Sequence, residues 1–121
     1  MTNILLVEDD PGIVANLTEF LKREGFSITA ASGQTKAMEL LMEDNPPFDL
    51  LLLDVSLSDG NGFSICAAVK AKMSIPVIFL TGVSDKDVVK QCLQLNPQGY
   101  LLKPIAKENL MNRLNEVFHY R

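Results

Sequence analysis

Residues 50–63 read "LLLLDVSLSDGNGF", four leucines that run into Asp54 and then into a loop of Ser, Asp and Gly. Four consecutive leucines have no polar side, which is typical of a strand buried on both faces of a parallel sheet. Ser, Asp and Gly are residues that favour turns. The segment therefore predicts a buried central strand that delivers Asp54 to one edge of a sheet.

Short apolar segments alternate with helical patterns along the whole chain. The predicted strands are residues 3–8, 26–31, 48–54, 76–81 and 99–103. Helical spacing of apolar residues predicts helices from Pro11 to a closing Gly25 and over residues 34–45, 63–73, 85–95 and 106–120. Five strands that alternate with five helices predict a doubly wound α/β fold with strand order 2-1-3-4-5. The length predicts one domain, residues 1–121.

Composition narrows the classes of partner. The net charge is −4, which argues against nucleic acid or an anionic membrane as the main partner. No apolar run approaches the roughly 20 residues that span a bilayer, and the N-terminus lacks the basic region of a signal peptide. Cys66 and Cys92 lack metal-ligand spacing, so we interpret them as reduced core thiols of a cytoplasmic protein.

Acidic side chains gather where two predicted neighbouring strands end. Glu8 and Asp9 follow the first strand and Asp54 ends the third, so all three are expected to converge. Their mutual repulsion should raise the pKa of at least one carboxyl group, and a hard divalent cation such as Mg²⁺ would relieve it. We expect Asp9 and Asp54 as direct ligands, Glu8 acting through water, and the Ser56 carbonyl as a further oxygen.

The same edge of the sheet holds groups suited to phosphoryl transfer. A carboxylate beside Mg²⁺ can act as a nucleophile and form an aspartyl phosphate. The transferred group needs its charge neutralised, and the Lys103 ammonium, the Thr81 hydroxyl and N–H groups near Gly82 are placed at strand ends to do this. Asp54 is the predicted nucleophile because it lies at the centre of the set.

Together these motifs resemble the receiver domain of two-component response regulators. The matching segments are "ILLVEDD" (4–10), "DLLLLDVSLSDGNGF" (49–63), "PVIFLTG" (76–82) and "GYLLKP" (99–104). The resemblance implies a flavodoxin-like fold and a signalling phosphoacceptor domain rather than an enzyme. Asp54 would accept a phosphoryl group from a sensor histidine kinase or a phosphotransfer protein, with intrinsic Mg²⁺-dependent self-phosphorylation and dephosphorylation.

The resemblance also implies a switch. Thr81 would contact the phosphoryl group, Tyr100 would turn inward in response, and Pro104 would follow a cis peptide bond. The changed surface would comprise the fourth helix, fifth strand and fifth helix, and it would control a downstream effector protein or a fused domain. A phosphorylation-dependent homodimer is compatible with this scheme. An ordinary strand residue remains the alternative for both Thr81 and Tyr100.

The sequence departs from the family pattern at a few positions. Ser58 stands where proline is common, which predicts a less rigid loop. Asn96-Pro97 replaces a common Gly-Ala, which should alter the end of the fourth helix. Ser56 and Val83 occupy loop positions where, by the resemblance, side chains control the access of water to the phosphoryl group.

Rival functions make different demands on the sequence. A haloacid-dehalogenase phosphatase needs a second Asp where Ser56 stands, and a flavin-binding flavodoxin needs a phosphate loop where the chain has "EDDPG" (8–12). The main alternative is a phosphorylation-independent pseudo-receiver that binds partners, although such proteins usually lose residues that are present here.

Several residues have simpler interpretations than a functional one. Asp10 is expected to cap the first helix, and Asp59 to be a solvated loop residue. Gly60 and Gly62 are interpreted as turn glycines with positive φ. His119 is expected in an exposed tail and is a poor candidate for a ligand.

Overall fold

The computed structural model describes residues 2–43, 46–82 and 86–118. Helices and strands alternate along the described chain, except that three strands follow one another between α2 and α3. The strands are β1 (Asn3–Val7), β2 (Ser27–Ala31), β3 (Leu50–Asp54), β4 (Ser56–Leu57), β5 (Gly60–Asn61), β6 (Val77–Thr81) and β7 (Gly99–Leu102). The helices are α1 (Pro11–Arg23), α2 (Gln34–Leu41), α3 (Gly62–Lys72), α4 (Lys86–Gln94) and α5 (Lys107–Phe118).

Five of these strands form one parallel sheet in the order β2-β1-β3-β6-β7. They are the five strands predicted from the sequence, so the predicted doubly wound fold and the strand order 2-1-3-4-5 are confirmed. The two remaining strands, β4 and β5, pair antiparallel as a hairpin of residues 56–61, which begins two residues after Asp54. We refer to residues 56–61 as the hairpin below.

The four leucines of β3 are all fully buried, as predicted. Leu51 and Leu53 face a hydrophobic cluster formed with α2, α3 and α4, whereas Leu50 and Leu52 face a cluster formed with α1 and α5. Burial of one Leu side chain stabilises a fold by roughly 1.5–3 kcal/mol. Because successive residues point to opposite faces, the run binds both helical layers and fixes β3 at the centre of the sheet.

The ends of α1 follow the sequence signals. The Asp10 carboxylate accepts hydrogen bonds from the N–H groups of Gly12 and Ile13, at 2.8 and 3.2 Å, so its predicted capping role is confirmed. Gly25 has a φ of +95°, two residues beyond Arg23, where a side chain would be strained. The Asp10 cap fixes the beginning of α1, and the Gly25 conformation follows its end. Glu8 and Asp9 therefore lie just before the helix.

Other boundaries differ from the predictions. The predicted helix over 34–45 ends at Leu41, and α3 begins at Gly62, one residue before the predicted start. α4 ends at Gln94, and Asn96 has a φ of +51°, so the Asn-Pro pair does form a distinct helix end. The predictions for Val83 and His119, and those for the outer ends of the helices at 44–45, 85 and 119–120, fall outside the described residues.

Gly62 corrects one interpretation from the sequence. Of the two glycines expected to have positive φ, only Gly60 does. A Cβ at Gly62 would lie 2.4 Å from the carbonyl oxygen of Asp54, and the Gly62 N–H donates to the carbonyl of Val55 at 3.0 Å. The glycine is therefore needed for the close approach of α3 to the end of β3, not for a left-handed turn.

Both cysteines are buried and unpaired, which confirms their predicted place in the core. Among the described residues, no helix has both the length and the apolar character required to cross a bilayer.

Candidate functional site

Three carboxylates meet at the carboxyl edge of the sheet. Glu8 and Asp9 follow β1, and Asp54 ends the neighbouring β3. Each offers an oxygen that lies within 4.8 Å of the others. Glu8 is 1% exposed and Asp54 3% exposed, whereas Asp9 is open to solvent. The structure thus brings together the three acidic residues predicted to converge, and their all-oxygen donor set suits a hard divalent cation.

Lys103 reaches this cluster from the end of β7, the edge strand. Its Nζ lies 2.8 Å from Glu8 Oε2 and 3.1 Å from Asp54 Oδ2. The Lys103 N–H donates to the carbonyl of Thr81 at 2.8 Å, which ties the end of β7 to the end of β6. The Lys103–Pro104 peptide bond is cis. One ammonium against three carboxylates leaves the ionised cluster with two net negative charges.

The Glu8 carboxyl group has a pKa raised above its ordinary value of 4.5. Burial is the main cause, since it disfavours the ionised form. The hydrogen bond from Lys103 opposes the shift, and the charge of Asp54 adds to it. The predicted rise in the pKa of one carboxyl group is therefore confirmed in direction, but burial contributes more than the repulsion from which we predicted it.

The Lys103 ammonium shows the opposite balance. Burial lowers its pKa, but the hydrogen bonds to Glu8 and Asp54, together with their charges, outweigh burial and leave the pKa above 10.5. Lys103 therefore stays charged at neutral pH, and its ammonium lies between two buried carboxylates, those of Glu8 and Asp54.

The hairpin presents peptide N–H groups to the same carboxylates. The N–H of Ser56 donates to Asp54 Oδ1 at 3.2 Å, and the N–H of Ser58 donates to Asp9 Oδ2 at 3.0 Å. Proline, which is common at position 58 in the family that the chain resembles, has no N–H and cannot make the second contact. Ser58 thus supplies a hydrogen bond to the acidic cluster that its residue type alone did not suggest.

Asp59 is exposed, as expected for a solvated loop residue, but it also makes contacts that its residue type did not predict. Its carboxylate accepts hydrogen bonds from the N–H groups of Gln34 and Thr35, at 2.7 and 3.0 Å, at the start of α2. These N–H donors, Thr35 first, lower the pKa of Asp59. The sequence carried one signal for this contact: Gly33, the residue before α2, has no side chain with which to cap the helix.

Thr81 and Tyr100 occupy the positions predicted for a switch. Thr81 is buried at the end of β6, one residue beyond Leu80, which pairs with Asp54. Tyr100 is half-buried on β7 opposite Phe79 and packs against the cluster that lies under α2, α3 and α4. Because residues two apart in a strand share a face, the Thr81 and Tyr100 positions lie on the same side of the sheet. Their roles stay predictions.

Comparison with known proteins assigns the chain to a family. Residues 4–115 match the family model of the response regulator receiver domain. The chain belongs to this receiver family. Receiver domains are signalling domains of two-component systems, so the phosphatase and flavin-binding alternatives are set aside.

Curated relatives of this receiver domain are longer proteins. The two-component response regulator ARR12 of Arabidopsis thaliana is 34% identical over 118 residues, which are 98% of this chain and 20% of that protein. The DNA-binding response regulator MtrA of Mycolicibacterium smegmatis is 32% identical over 111 residues, which are 92% of this chain and 48% of MtrA. The chain therefore spans between a fifth and a half of the length of these two relatives.

Solved structures share the fold of this receiver domain. A two-component response regulator from Clostridium difficile has a TM-score of 0.91 and 25% identity, with 98% of this chain and 97% of that chain covered. The non-phosphorylated HemR receiver domain from Leptospira biflexa has a TM-score of 0.86 and 30% identity, with 100% and 97% covered. These similarities agree with the sheet order and the helical layers described above.

Proposed function

We propose that this receiver domain accepts a phosphoryl group on Asp54 from a sensor histidine kinase or a phosphotransfer protein in the cytoplasm. The observation that carries the proposal is the convergence of Asp54 with two further carboxylates and with the Lys103 ammonium, 3.1 Å away. We further propose that residues 1–121 form this single domain.

The acidic cluster supports Mg²⁺ as the cofactor. Glu8, Asp9 and Asp54 supply oxygen donors close together, and the carbonyl of Ser56 would add another. The raised pKa of Glu8 indicates that the ionised cluster carries an electrostatic cost that a divalent cation would relieve. When bound, the ion would supply charge neutralisation for the phosphoryl oxygens.

The residues of the site suit an in-line transfer. An Asp54 carboxylate oxygen attacks phosphorus, the bond from phosphorus to the donor nitrogen breaks, and the donor imidazole leaves with that electron pair. Lys103 lies close enough to Asp54 to pair with the phosphoryl oxygens, and the Thr81 hydroxyl would bind another of them. The Ser56 N–H holds Asp54 Oδ1, which leaves the orientation of the nucleophile fixed before the donor arrives.

Phosphorylation would change the surface made of α4, β7 and α5. The added group brings about −1.5 to −2 charges, which Thr81 would answer by moving towards it, with Tyr100 filling the space. This surface exposes Leu93 on α4 and Leu102 on β7, at 55% and 47% exposure, which supports it as the contact for an effector protein or fused domain. A phosphorylation-dependent homodimer would use the same region.

A phosphorylation-independent pseudo-receiver is not favoured. Such a domain has no need for a buried carboxylate nucleophile, a second carboxylate 4.8 Å or less away and an ammonium between them, yet Asp54, Glu8 and Lys103 form this set.

Acetyl phosphate tests the proposal without a cognate kinase. The wild type and Asp54→Asn are incubated with acetyl phosphate, with MgCl₂ or with EDTA, and their intact masses are measured. We expect one phosphoryl adduct on the wild type that requires Mg²⁺ and is absent from Asp54→Asn. An equal adduct on Asp54→Asn, with the fold intact by circular dichroism, would remove Asp54 as the acceptor.

A further inference from the structure

The hairpin that follows Asp54 is held by α2 on both sides of Gly60. On one side, the Asp59 carboxylate accepts the N–H groups of Gln34 and Thr35 at 2.7 and 3.0 Å. On the other, the N–H of Asn61 donates to the Gln34 side-chain oxygen at 2.9 Å. We call these three hydrogen bonds the α2 clamp. They join residues 24 to 27 positions apart in the chain.

Two glycines make room for the clamp. A Cβ at Gly33 would lie 2.4 Å from Asp59 Oδ1, and a Cβ at Gly60 would lie 1.8 Å from Gln34 Oε1. Gly33 has an extended backbone, with a φ of −172°, so its role is to leave space and not to adopt an unusual conformation. Gly33 has no side chain to cap α2, and Asp59 supplies that cap from the hairpin.

The hairpin also contacts the acidic cluster. The Ser56 N–H donates to Asp54 Oδ1 at 3.2 Å, and the Ser58 N–H donates to Asp9 Oδ2 at 3.0 Å. Two paired residues on each side form a hairpin too short to be stable by itself in water. The positions of these N–H groups therefore depend on contacts outside the hairpin, and the α2 clamp provides three of them.

We propose that Asp59 and Gln34 are positioning residues for the phosphorylation site, which act through the hairpin by fixing the peptide groups that orient Asp9 and Asp54. This inference rests on the proposed function, because it concerns the affinity of the same cluster for Mg²⁺. Loss of a residue that orients a metal ligand typically weakens metal binding by 10- to 100-fold. We expect the lower end, about tenfold, since the clamp acts through one intervening loop.

The test compares clamp variants with two matched controls. Asp59→Ala removes two of the clamp bonds, and Asp59→Asn keeps an oxygen acceptor. Ala37→Gly destabilises α2 at a buried position, because glycine has a lower helix propensity than alanine, and it leaves the clamp in place. Asp49→Ala removes a similar bond, from the Asn3 N–H at 2.8 Å, at the other end of β3.

Three measurements are made on each protein: the Mg²⁺ dissociation constant by calorimetry, the exchange rate of the Ser58 amide proton without Mg²⁺, and the melting temperature. We expect Asp59→Ala to bind Mg²⁺ about tenfold more weakly and to exchange the Ser58 amide faster than the wild type. Asp59→Asn should recover part of both losses. Ala37→Gly should melt at a lower temperature with Mg²⁺ affinity and Ser58 exchange unchanged, and Asp49→Ala should keep both at the wild-type level.

Three results would overturn the proposal, and they are distinguishable from one another. If the wild type binds Mg²⁺ and Asp59→Ala binds it equally well, with Ser58 exchange unchanged, the clamp is only structural and the proposed function stands. The proposal also fails if Ala37→Gly weakens Mg²⁺ binding as much as Asp59→Ala. If the wild type binds no Mg²⁺ and takes no phosphoryl group, the proposed function itself is wrong, and this inference with it.

Discussion

Replacement of Lys103 by methionine isolates the electrostatic balance of the acidic cluster. The variant keeps most of the apolar stem and removes the ammonium that lies 2.8 Å from Glu8 and 3.1 Å from Asp54. Both carboxylates are almost fully buried. The ionised cluster would change from two net negative charges to three.

The expected loss of stability follows from this burial. Removal of one partner from a buried ion pair costs about 3–5 kcal/mol, because the other charge is left uncompensated. The Lys103 side chain is 20% exposed, so solvent screens part of the effect, and we expect about 3 kcal/mol at pH 7 without Mg²⁺. Such a loss is a large share of the 5–15 kcal/mol that is typical for the unfolding of a domain.

The pH dependence has a definite sign. The folded-state pKa of Glu8 is raised, so the stability that its protonated form contributes is fully present below 4.5 and is lost as the pH rises through the folded value. The Lys103 pKa is raised above 10.5, so its contribution to the wild type persists at neutral pH and is lost only in alkali. The deficit of Lys103→Met should therefore shrink as the pH falls towards 4.5.

Urea unfolding at pH 7 and pH 4.5 in EDTA, and at pH 7 in MgCl₂, measures this deficit. Lys90→Met is the control, since Lys90 is exposed on α4 and the chemical change is the same. The account predicts a deficit for Lys103→Met that is largest at pH 7, that Mg²⁺ reduces, and that Lys90→Met lacks. Equal stability of Lys103→Met and the wild type at pH 7, or a deficit that does not change with pH, would refute the reasoning.

Three further predictions concern the frame around the site. Gly62→Ala should lower the free energy of unfolding by about 1–3 kcal/mol and weaken Mg²⁺ binding, because the new Cβ would meet the Asp54 carbonyl. An unchanged free energy of unfolding in urea and an unchanged Mg²⁺ affinity by calorimetry would contradict this prediction. Asn96→Ala should lower the free energy of unfolding by about 1–2 kcal/mol, because position 96 has a left-handed φ of +51°. Asn96→Gly should lower it less, and thermal melts of the two variants measure the difference. Burial raises the pKa of the Cys66 and Cys92 thiols. A thiol reagent at pH 8 should therefore label the native protein roughly 1,000-fold more slowly than the urea-unfolded chain. Rapid labelling of the native protein would be incompatible with the described core.

Those features that depend on local pattern could be predicted from the sequence. The run Leu50–Leu53 is apolar at every position, which is typical of a strand covered on both faces, so the central strand of the sheet could be predicted. Asp54 ends its strand, and Asp9 and Lys103 lie just beyond the ends of theirs. Parallel strands bring their carboxyl ends to one edge. The convergence of the site therefore followed from the order of the elements.

Those features that depend on distant contacts could not be predicted. Asp59 looks like a turn residue, and its contact with α2 exists only because the fold brings residues 25 positions apart together. Gly62 looks like another turn glycine, and its need for a bare Cα arises from the approach of α3 to the Asp54 carbonyl. The Ser58 N–H contact with Asp9 belongs to the backbone, which a pattern of side chains does not report.

The position of the phosphoryl group tests the central claim most directly. The protein is phosphorylated with acetyl phosphate and MgCl₂, reduced with borohydride so that an acyl phosphate becomes a stable alcohol, and digested for peptide mass spectrometry. The account predicts that Asp54 alone is converted to homoserine, and that omission of Mg²⁺ prevents the conversion. Conversion at Asp9 or another carboxylate, with Asp54 unmodified, would contradict the account.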